Sequence, residues 1–240
     1  MAFFQEAKSR REPILRAPAV VLWLIAALAL AHIARVLAPA DLSNAVLVDY
    51  SFMPARYSHQ FLASHNLNPG SWLEQALPFV SYIFLHANFT HLIINCLWLL
   101  AFGPIVARRY GALLFLVFFF VCGIAAAATH LAFNWGSADP VIGASGAISG
   151  LMAAGIRLLP TLGRSGENVP LAPILSAQVL LFSLFWVIVN LVAGQTGFGT
   201  TGDMHLVAWQ AHLGGYFVGL FLAGPFDSPR LIGRRTPAHP

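Results

Sequence analysis

Apolar residues fall in six long runs along this chain, and polar segments separate one run from the next. A helix of about 20 apolar residues crosses the hydrocarbon core of a membrane, and most of the runs approach that length. The pattern predicts an all-α membrane protein with six spanning helices, of which the fourth is the shortest. Their predicted bounds are Ala17 to Val36, His91 to Val106, Gly111 to Phe133, Gly143 to Leu159, Pro173 to Gly194 and Val207 to Phe226.

One long connection, Pro39 to Ala76, separates the first two runs and is predicted to lie on the outer side of the membrane. It leads into the apolar stretch Leu77 to Leu85, which the polar segment His86 to Thr90 interrupts before the second run. Irregular backbone at this depth is tolerated where protein surrounds it. We therefore expect a buried loop or a short interfacial helix here.

Composition and charge agree with a membrane protein and exclude two other classes. Hydrophobic residues make up 58% of the 240 residues and charged residues only 9%, which is far from the composition of soluble domains. The net charge of +4 does not indicate nucleic-acid binding, because the basic residues are dispersed over the predicted membrane boundaries. The lipid bilayer is the expected surrounding.

The basic residues also predict an orientation, since short cytoplasmic loops are rich in Lys and Arg. Both termini are predicted to be cytoplasmic. Residues 1–16 and 227–240 are the predicted tails, and residues 17–226 are the predicted core. The expected location is the plasma membrane of a bacterium. Arg35 and Arg56 lie on the other side in this topology. The basic residues on the cytoplasmic side are Lys8, Arg10, Arg11, Arg16, Arg108, Arg109, Arg157, Arg164, Arg230, Arg234 and Arg235.

Polar side chains inside the predicted spans are the candidate functional residues. His91 and Asn95 are four residues apart, so a helix presents them on one face. Such a pair also occurs as hydrogen-bonding contact between membrane helices, and that interpretation stays open for either residue alone. Buried polar groups in spans nevertheless often line functional cavities.

A serine and a histidine in two other spans strengthen the catalytic interpretation. Ser145 is predicted at the start of the fourth helix, where free backbone N–H groups and the positive end of the helix dipole favour an anion. His212 shares a helix face with Gly215 and Gly219, which permit close approach of another backbone. If the fourth helix is that neighbour, His212 can act as general base toward Ser145.

Taken together, these motifs resemble those of the rhomboid family of intramembrane serine proteases. The three motifs are His86-xxxx-His91-xxx-Asn95, Gly143-x-Ser145-Gly146 and Ala211-His212-xx-Gly215-xxx-Gly219, in that order. The resemblance implies a six-helix bundle, a Ser145–His212 dyad without an acidic third member, and an oxyanion hole made by His91, Asn95 and the Ser145 N–H. It also implies transmembrane proteins as substrates and small residues near the cleaved bond.

Two positions depart from the family pattern. Leu77-Pro78-Phe79 stands where a Trp-Arg pair is frequent, so the anchoring of the first loop is open. Ser149 stands where some members carry an aromatic residue that packs on the catalytic histidine, so what holds the His212 ring is also open. Neither change removes a reacting group.

Substrate access is predicted to involve the fifth helix and the loop after it. Phe182, Phe185 and Trp186 are bulky side chains on that helix, although they equally fit a surface that faces lipid. Four glycines loosen the backbone at the end of the helix and in the loop. These are Gly194, Gly197, Gly199 and Gly202.

Other chemistries fit less well. The chain has no His-Glu-xx-His zinc signature and no pair of intramembrane aspartates, because Asp203 has no evident partner. Four further histidines are scattered without ligand spacing, so no metal or other cofactor is expected. Cys96 and Cys122 fit small packing residues. These four histidines are His59, His65, His130 and His205.

Two non-enzymatic alternatives remain at this point. One is a rhomboid-like pseudoprotease that binds membrane clients, against which the intact motif residues argue. The other is a transporter, for which the chain shows neither an internal repeat nor many ionisable residues in its spans. The sequence carries no indication of the oligomeric state.

Overall fold

The computed structural model describes residues 17–161, 169–196 and 208–227. Helices dominate these ranges, and the only β-type pairing among the described residues is a single antiparallel bridge between Phe52 and Val141. The α-helices are α1 (Ala19–Leu37), α2 (Ala40–Tyr50), α3 (His59–Ser64), α4 (Trp72–Ala76), α5 (Pro78–Ser81), α6 (Phe89–Tyr110), α7 (Ala112–Phe133), α8 (Ser145–Leu158), α9 (Ala177–Thr196) and α10 (Trp209–Phe226). Short 3-10 turns cover Pro54–Tyr57, Tyr82–Phe84 and Leu159–Thr161.

Four of these helices, α1, α6, α7 and α9, are long and apolar enough to cross a membrane. Their most apolar stretches have mean hydropathies between 1.8 and 2.5. The two other predicted spans are also helical and correspond to α8 and α10. Helix α8 has only 14 residues, and α10 does not meet the same criterion of length and hydropathy. The count of six membrane-spanning helices therefore stays a prediction.

The bundle itself explains why α8 can be short and carry many small and polar residues. Every residue from Gly146 to Leu158 is buried, so neighbouring helices and not lipid surround this helix. A membrane helix enclosed by other helices accommodates small and polar residues, because its side chains meet protein and not lipid. In contrast, α9 buries only Val179, Asn190 and Gly194 and lies at the edge of the bundle.

The second predicted span is longer in the structure than in the sequence prediction. It begins at Phe89 because the Asn88 side chain accepts a hydrogen bond from the His91 backbone N–H at 2.9 Å and caps the helix. It continues past Val106 to Tyr110 and ends at Gly111, whose φ of +79° suits glycine. Arg108 and Arg109 thus occupy its last turn and not a loop.

Helices α6, α8 and α10 run in the same direction, and contacts at their C-terminal ends show it. Tyr110 donates to the Ala223 carbonyl at 2.9 Å, and Arg109 forms a salt bridge with Asp227. Arg157, at the end of α8, donates to the Leu220 carbonyl at 2.8 Å. The N-terminal ends of the three helices therefore meet at the opposite end of the bundle.

The long connection between α1 and α6 is folded, and an aromatic cluster anchors it. Phe79 packs edge-on against Phe52, with ring centroids 4.8 Å apart, and also against Tyr57. Phe52 exchanges two backbone hydrogen bonds with Val141, just before the motif of α8. In a chain that lacks the Trp-Arg pair, this cluster anchors the loop, because packed aromatic side chains hold it against the core. The turns at Tyr82–Phe84 agree with the predicted short, buried segment.

Candidate active site

Ser145 and His212 face each other at the end of the bundle where α8 and α10 begin. The Nε2 atom of His212 lies 2.7 Å from the Ser145 Oγ, which is a hydrogen-bond distance. Ser145 is the first residue of α8, as predicted, and it stays half-buried while the residues after it are fully enclosed. The structure thus brings together the two side chains that the sequence analysis paired.

Close contact between the α8 and α10 backbones produces this pairing. A Cβ atom added at Gly215 would collide with the Gly146 carbonyl, and one added at Gly219 would collide with Gly150. Glycine at these positions lets the two helix axes approach until backbone meets backbone. Since Gly146 follows Ser145 and Gly215 stands one turn after His212, the contact sets the distance between the Ser145 and His212 side chains.

His91 and Asn95 lie on the first turns of α6 and border the same cavity as Ser145 and His212, which has a volume of about 690 Å³. Asn95 is only 3% exposed, and its amide nitrogen donates to the His91 carbonyl at 2.9 Å. Gly143 has a φ of +114°, and a Cβ atom there would lie 2.8 Å from the His91 Nε2. Glycine at this position therefore leaves room for the His91 imidazole beside the segment that leads into Ser145.

His86 lies behind these residues and not in the cavity lining. Its ring is fully buried and contacts His91 edge-on, with centroids 5.1 Å apart. Burial, together with the neighbouring His91 and His32, lowers the pKa of His86 to about 3, so this loop histidine is neutral at ordinary pH. Arg35 donates to the His86 carbonyl at 2.7 Å and ties the loop to α1.

An asparagine that the sequence analysis did not single out completes the environment of His212. The Oδ1 of Asn190, on α9, lies 2.7 Å from the His212 Nδ1. Ser149, in contrast, donates to the Ser145 carbonyl at 2.8 Å within its own helix. Among the described residues, the His212 ring is thus held through its Nδ1, and no aromatic ring stacks on it. The available signal was an amide side chain near the end of the apolar fifth span.

The aromatic residues of the fifth span do not share one environment. Phe182 and Trp186 are half-buried and stack against Tyr216 of α10, with centroids 6.4 Å apart in each case. Phe185 is 60% exposed on the outer surface of the bundle. The interpretation that these side chains face lipid therefore fits only Phe185.

Several sequence predictions fall on residues outside the described ranges. They include the basic residues of both tails and Arg164 in the loop before α9. The remaining ones are Gly197, Gly199, Gly202, Asp203, His205 and Val207. Within the described ranges, no group of three or more His, Cys, Asp or Glu side chains is arranged to hold a metal ion. The absence of a metal requirement stays a prediction.

The fold and this site define a helical integral membrane protein with a polar cavity at one end of the bundle. The family model for the Rhomboid domain matches residues 73–226, which is more than half of the chain. The chain belongs to the rhomboid family, a family of intramembrane serine proteases that act on transmembrane substrates. No curated protein matches the chain.

Proposed function

We propose that this protein is an intramembrane serine endopeptidase that cleaves membrane proteins in or near their transmembrane segments. The observation that carries the proposal is the 2.7 Å contact between the His212 Nε2 and the Ser145 Oγ at the wall of a cavity. A serine is a weak nucleophile unless an adjacent base takes its proton. Ser145 supplies the nucleophile and His212 supplies the base, and neither role requires an ionised third residue.

In the proposed reaction, the Ser145 Oγ attacks the carbonyl carbon of the substrate while His212 takes the hydroxyl proton. The tetrahedral intermediate collapses to an acyl-enzyme when His212 gives that proton to the leaving amine. A water molecule then attacks the ester, with His212 again acting as base, and releases the second product. No metal or cofactor takes part in these steps.

The developing oxyanion requires donors, and three lie around the cavity. The Ser145 backbone N–H is at the start of α8, where the helix dipole favours negative charge. His91 and Asn95 supply side-chain N–H groups from the first turns of α6. Removing one such donor typically lowers the rate about 10²- to 10³-fold. The convergence of three helix N-termini at this end supports the assignment.

Substrate preference follows from the chemistry of a spanning helix. Its carbonyl groups are hydrogen-bonded and shielded, whereas the serine needs an extended, accessible peptide bond. We expect preference for substrate helices weakened by Gly, Pro or polar residues near their outer end, with small residues beside the cleaved bond. Equal cleavage of helix-stable and helix-broken versions of one substrate contradicts this expectation.

Orientation in the membrane is part of the same proposal. Arg108, Arg109 and Arg157 lie at the end of the bundle opposite Ser145, in agreement with a cytoplasmic location for that end. We propose that both tails are cytoplasmic, that the core is residues 17–226, and that the membrane is a bacterial inner membrane. The active site then faces the outer half of the bilayer. Reporter fusions at each terminus test the orientation.

The test of the function is cleavage of a single-span model substrate by purified protein in liposomes, with chelator present. Wild type is expected to cleave, and Ser145→Ala and His212→Ala are expected to lose cleavage. Ser149→Ala is the matched control, because its hydroxyl donates to a backbone carbonyl of its own helix and has no part in the proposed steps. Cleavage by Ser145→Ala at the wild-type rate refutes the serine mechanism. A folded wild type that binds but never cuts a panel of substrates supports client binding.

A further inference from the structure

Asn190 is the one polar side chain among the buried residues that the structure describes on α9. It is 3% exposed and lies where α9 meets α10. Its Oδ1 is 2.7 Å from the His212 Nδ1, and its Nδ2 is 2.8 Å from the Trp186 carbonyl oxygen. Both ends of the amide are thus hydrogen-bonded.

These two contacts determine which way the amide points. A carbonyl oxygen only accepts hydrogen bonds, so the atom of Asn190 that faces Trp186 has to be the NH₂ group. The amide oxygen then faces His212 and also only accepts. The His212 Nδ1 therefore carries the hydrogen and donates it to Asn190.

The proton on Nδ1 has a direct chemical consequence. In a neutral imidazole, one nitrogen is a donor and the other an acceptor. With the hydrogen on Nδ1, the Nε2 has a free lone pair directed at the Ser145 hydroxyl 2.7 Å away. This is the tautomer that a general base requires, because the opposite tautomer would present a second hydrogen to the serine.

We propose that Asn190 is a positioning residue that completes a Ser145–His212–Asn190 arrangement. The inference rests on the proposed function and adds a third member to the predicted dyad. When the Ser145 proton moves to Nε2, the ring becomes an imidazolium whose Nδ1–H stays bonded to Asn190. The same proton then passes from Nε2 to the leaving amine, so Asn190 gains and loses no proton.

The position of Asn190 also couples the base to α9. Among the described residues, α9 lies at the edge of the bundle. Besides the aromatic stacking on Tyr216, it makes two polar contacts with α10, the Asn190–His212 hydrogen bond and the 2.8 Å hydrogen bond between Ser183 and Tyr216. Displacing α9 from α10 breaks the Asn190–His212 hydrogen bond. His212 is therefore held for catalysis only while α9 is packed against α10.

The experiment compares Asn190→Leu, which keeps the size but removes the acceptor, with Asn190→Asp, which keeps an acceptor oxygen. Ser183→Ala is the matched control, because it removes the other polar contact between α9 and α10, two turns away. The wild type and Ser145→Ala are measured first, since loss of the proposed function would appear there as absent or serine-independent cleavage. Thermal unfolding checks that each variant is folded.

We expect Asn190→Leu to lower kcat about 10- to 100-fold, as for one hydrogen bond in a low-dielectric site, while KM changes little. Asn190→Asp is expected to be at least severalfold faster than Asn190→Leu, and Ser183→Ala is expected to keep the wild-type kcat. Covalent labelling of Ser145 by a small fluorophosphonate is expected to slow in parallel with kcat. That readout does not depend on entry of a substrate helix.

A second readout follows the tautomer itself. In protein labelled with ¹⁵N-histidine, His212 is expected to show a protonated Nδ1 in the wild type and a mixture of tautomers in Asn190→Leu. Wild-type kcat and labelling rate in a folded Asn190→Leu overturn the proposal. Equal losses in Asn190→Leu and Ser183→Ala also overturn it, because they assign the effect to helix packing alone.

Discussion

Replacing Gly215 by alanine tests whether the backbone contact between α8 and α10 sets the geometry of the site. The new Cβ would lie 2.8 Å from the Gly146 carbonyl carbon and closer still to its oxygen. Ordinary contact is about 3.5 Å or more between two carbon atoms and about 3.3 Å or more between carbon and oxygen, so clearing the closer oxygen requires the helices to separate by more than about 1 Å. No side-chain rotation relieves this overlap, because the obstructing atoms belong to the backbone.

The separation acts directly on the proposed catalytic pair. The distance between the His212 Nε2 and the Ser145 Oγ is 2.7 Å and would rise above about 3.7 Å, beyond the usual range for a hydroxyl donor. Misplacement on the scale of an ångström costs about 10²-fold in rate. We therefore expect kcat to fall about 100-fold, with overpacking lowering the free energy of unfolding by about 1–3 kcal/mol.

The assay is cleavage of the single-span substrate together with thermal unfolding in the same detergent. Gly224→Ala is the matched control on α10, because its Cβ would meet only the Arg157 guanidinium, at 3.9 Å. That control is expected to keep wild-type activity. If Gly215→Ala keeps both the wild-type kcat and the wild-type unfolding temperature, the close helix contact does not position the site.

Three further substitutions probe the segment before α6. Asn88→Ala removes the cap of α6 and should cost about 1 kcal/mol of stability, whereas Asn88→Asp keeps an acceptor; equal unfolding temperatures for the two would contradict a capping role. Phe79→Ala opens the aromatic cluster and should lower stability by about 2–4 kcal/mol, more than Phe185→Ala on the exposed surface of α9, as thermal unfolding would show. The pKa of His86 falls from about 6.5 in the unfolded chain to about 3 in the fold, so the unfolded state binds more protons between these values. Stability should be complete above about pH 6.5 and decline toward pH 3, and His86→Gln should flatten that decline; identical pH profiles would refute it.

The motif residues could be identified from the sequence because each belongs to a local pattern. The spacing of His91 and Asn95 places them on one helix face, and Ser145 begins α8 where the glycine-rich motif indicated. The glycine pair Gly215 and Gly219 correctly indicated a close helix contact, since only a missing side chain permits such an approach. The interpretation of these residues as catalytic comes from chemistry and remains a proposal.

Contacts between segments that lie far apart in the sequence could not be predicted in the same way. Phe79 alone gave no indication that it would pack with Phe52 and Tyr57, because the three belong to separate turns of a long connection. The extent of α6 also depended on local detail, namely the cap at Asn88 and the glycine at 111. Hydrophobicity averaged over a window of residues detects neither the helix cap nor the terminating glycine.

The sequence by itself determined that this chain is a helical membrane protein of the rhomboid family, since apolar run length and motif spacing are local properties. The tertiary structure alone decided which side chain holds the His212 ring. Asn190 is 22 residues from His212 along the chain, and their hydrogen bond exists because α9 packs across α10 at that level. Periodicity specifies which face of a helix is buried, whereas the partner of a buried polar group depends on how the helices pack.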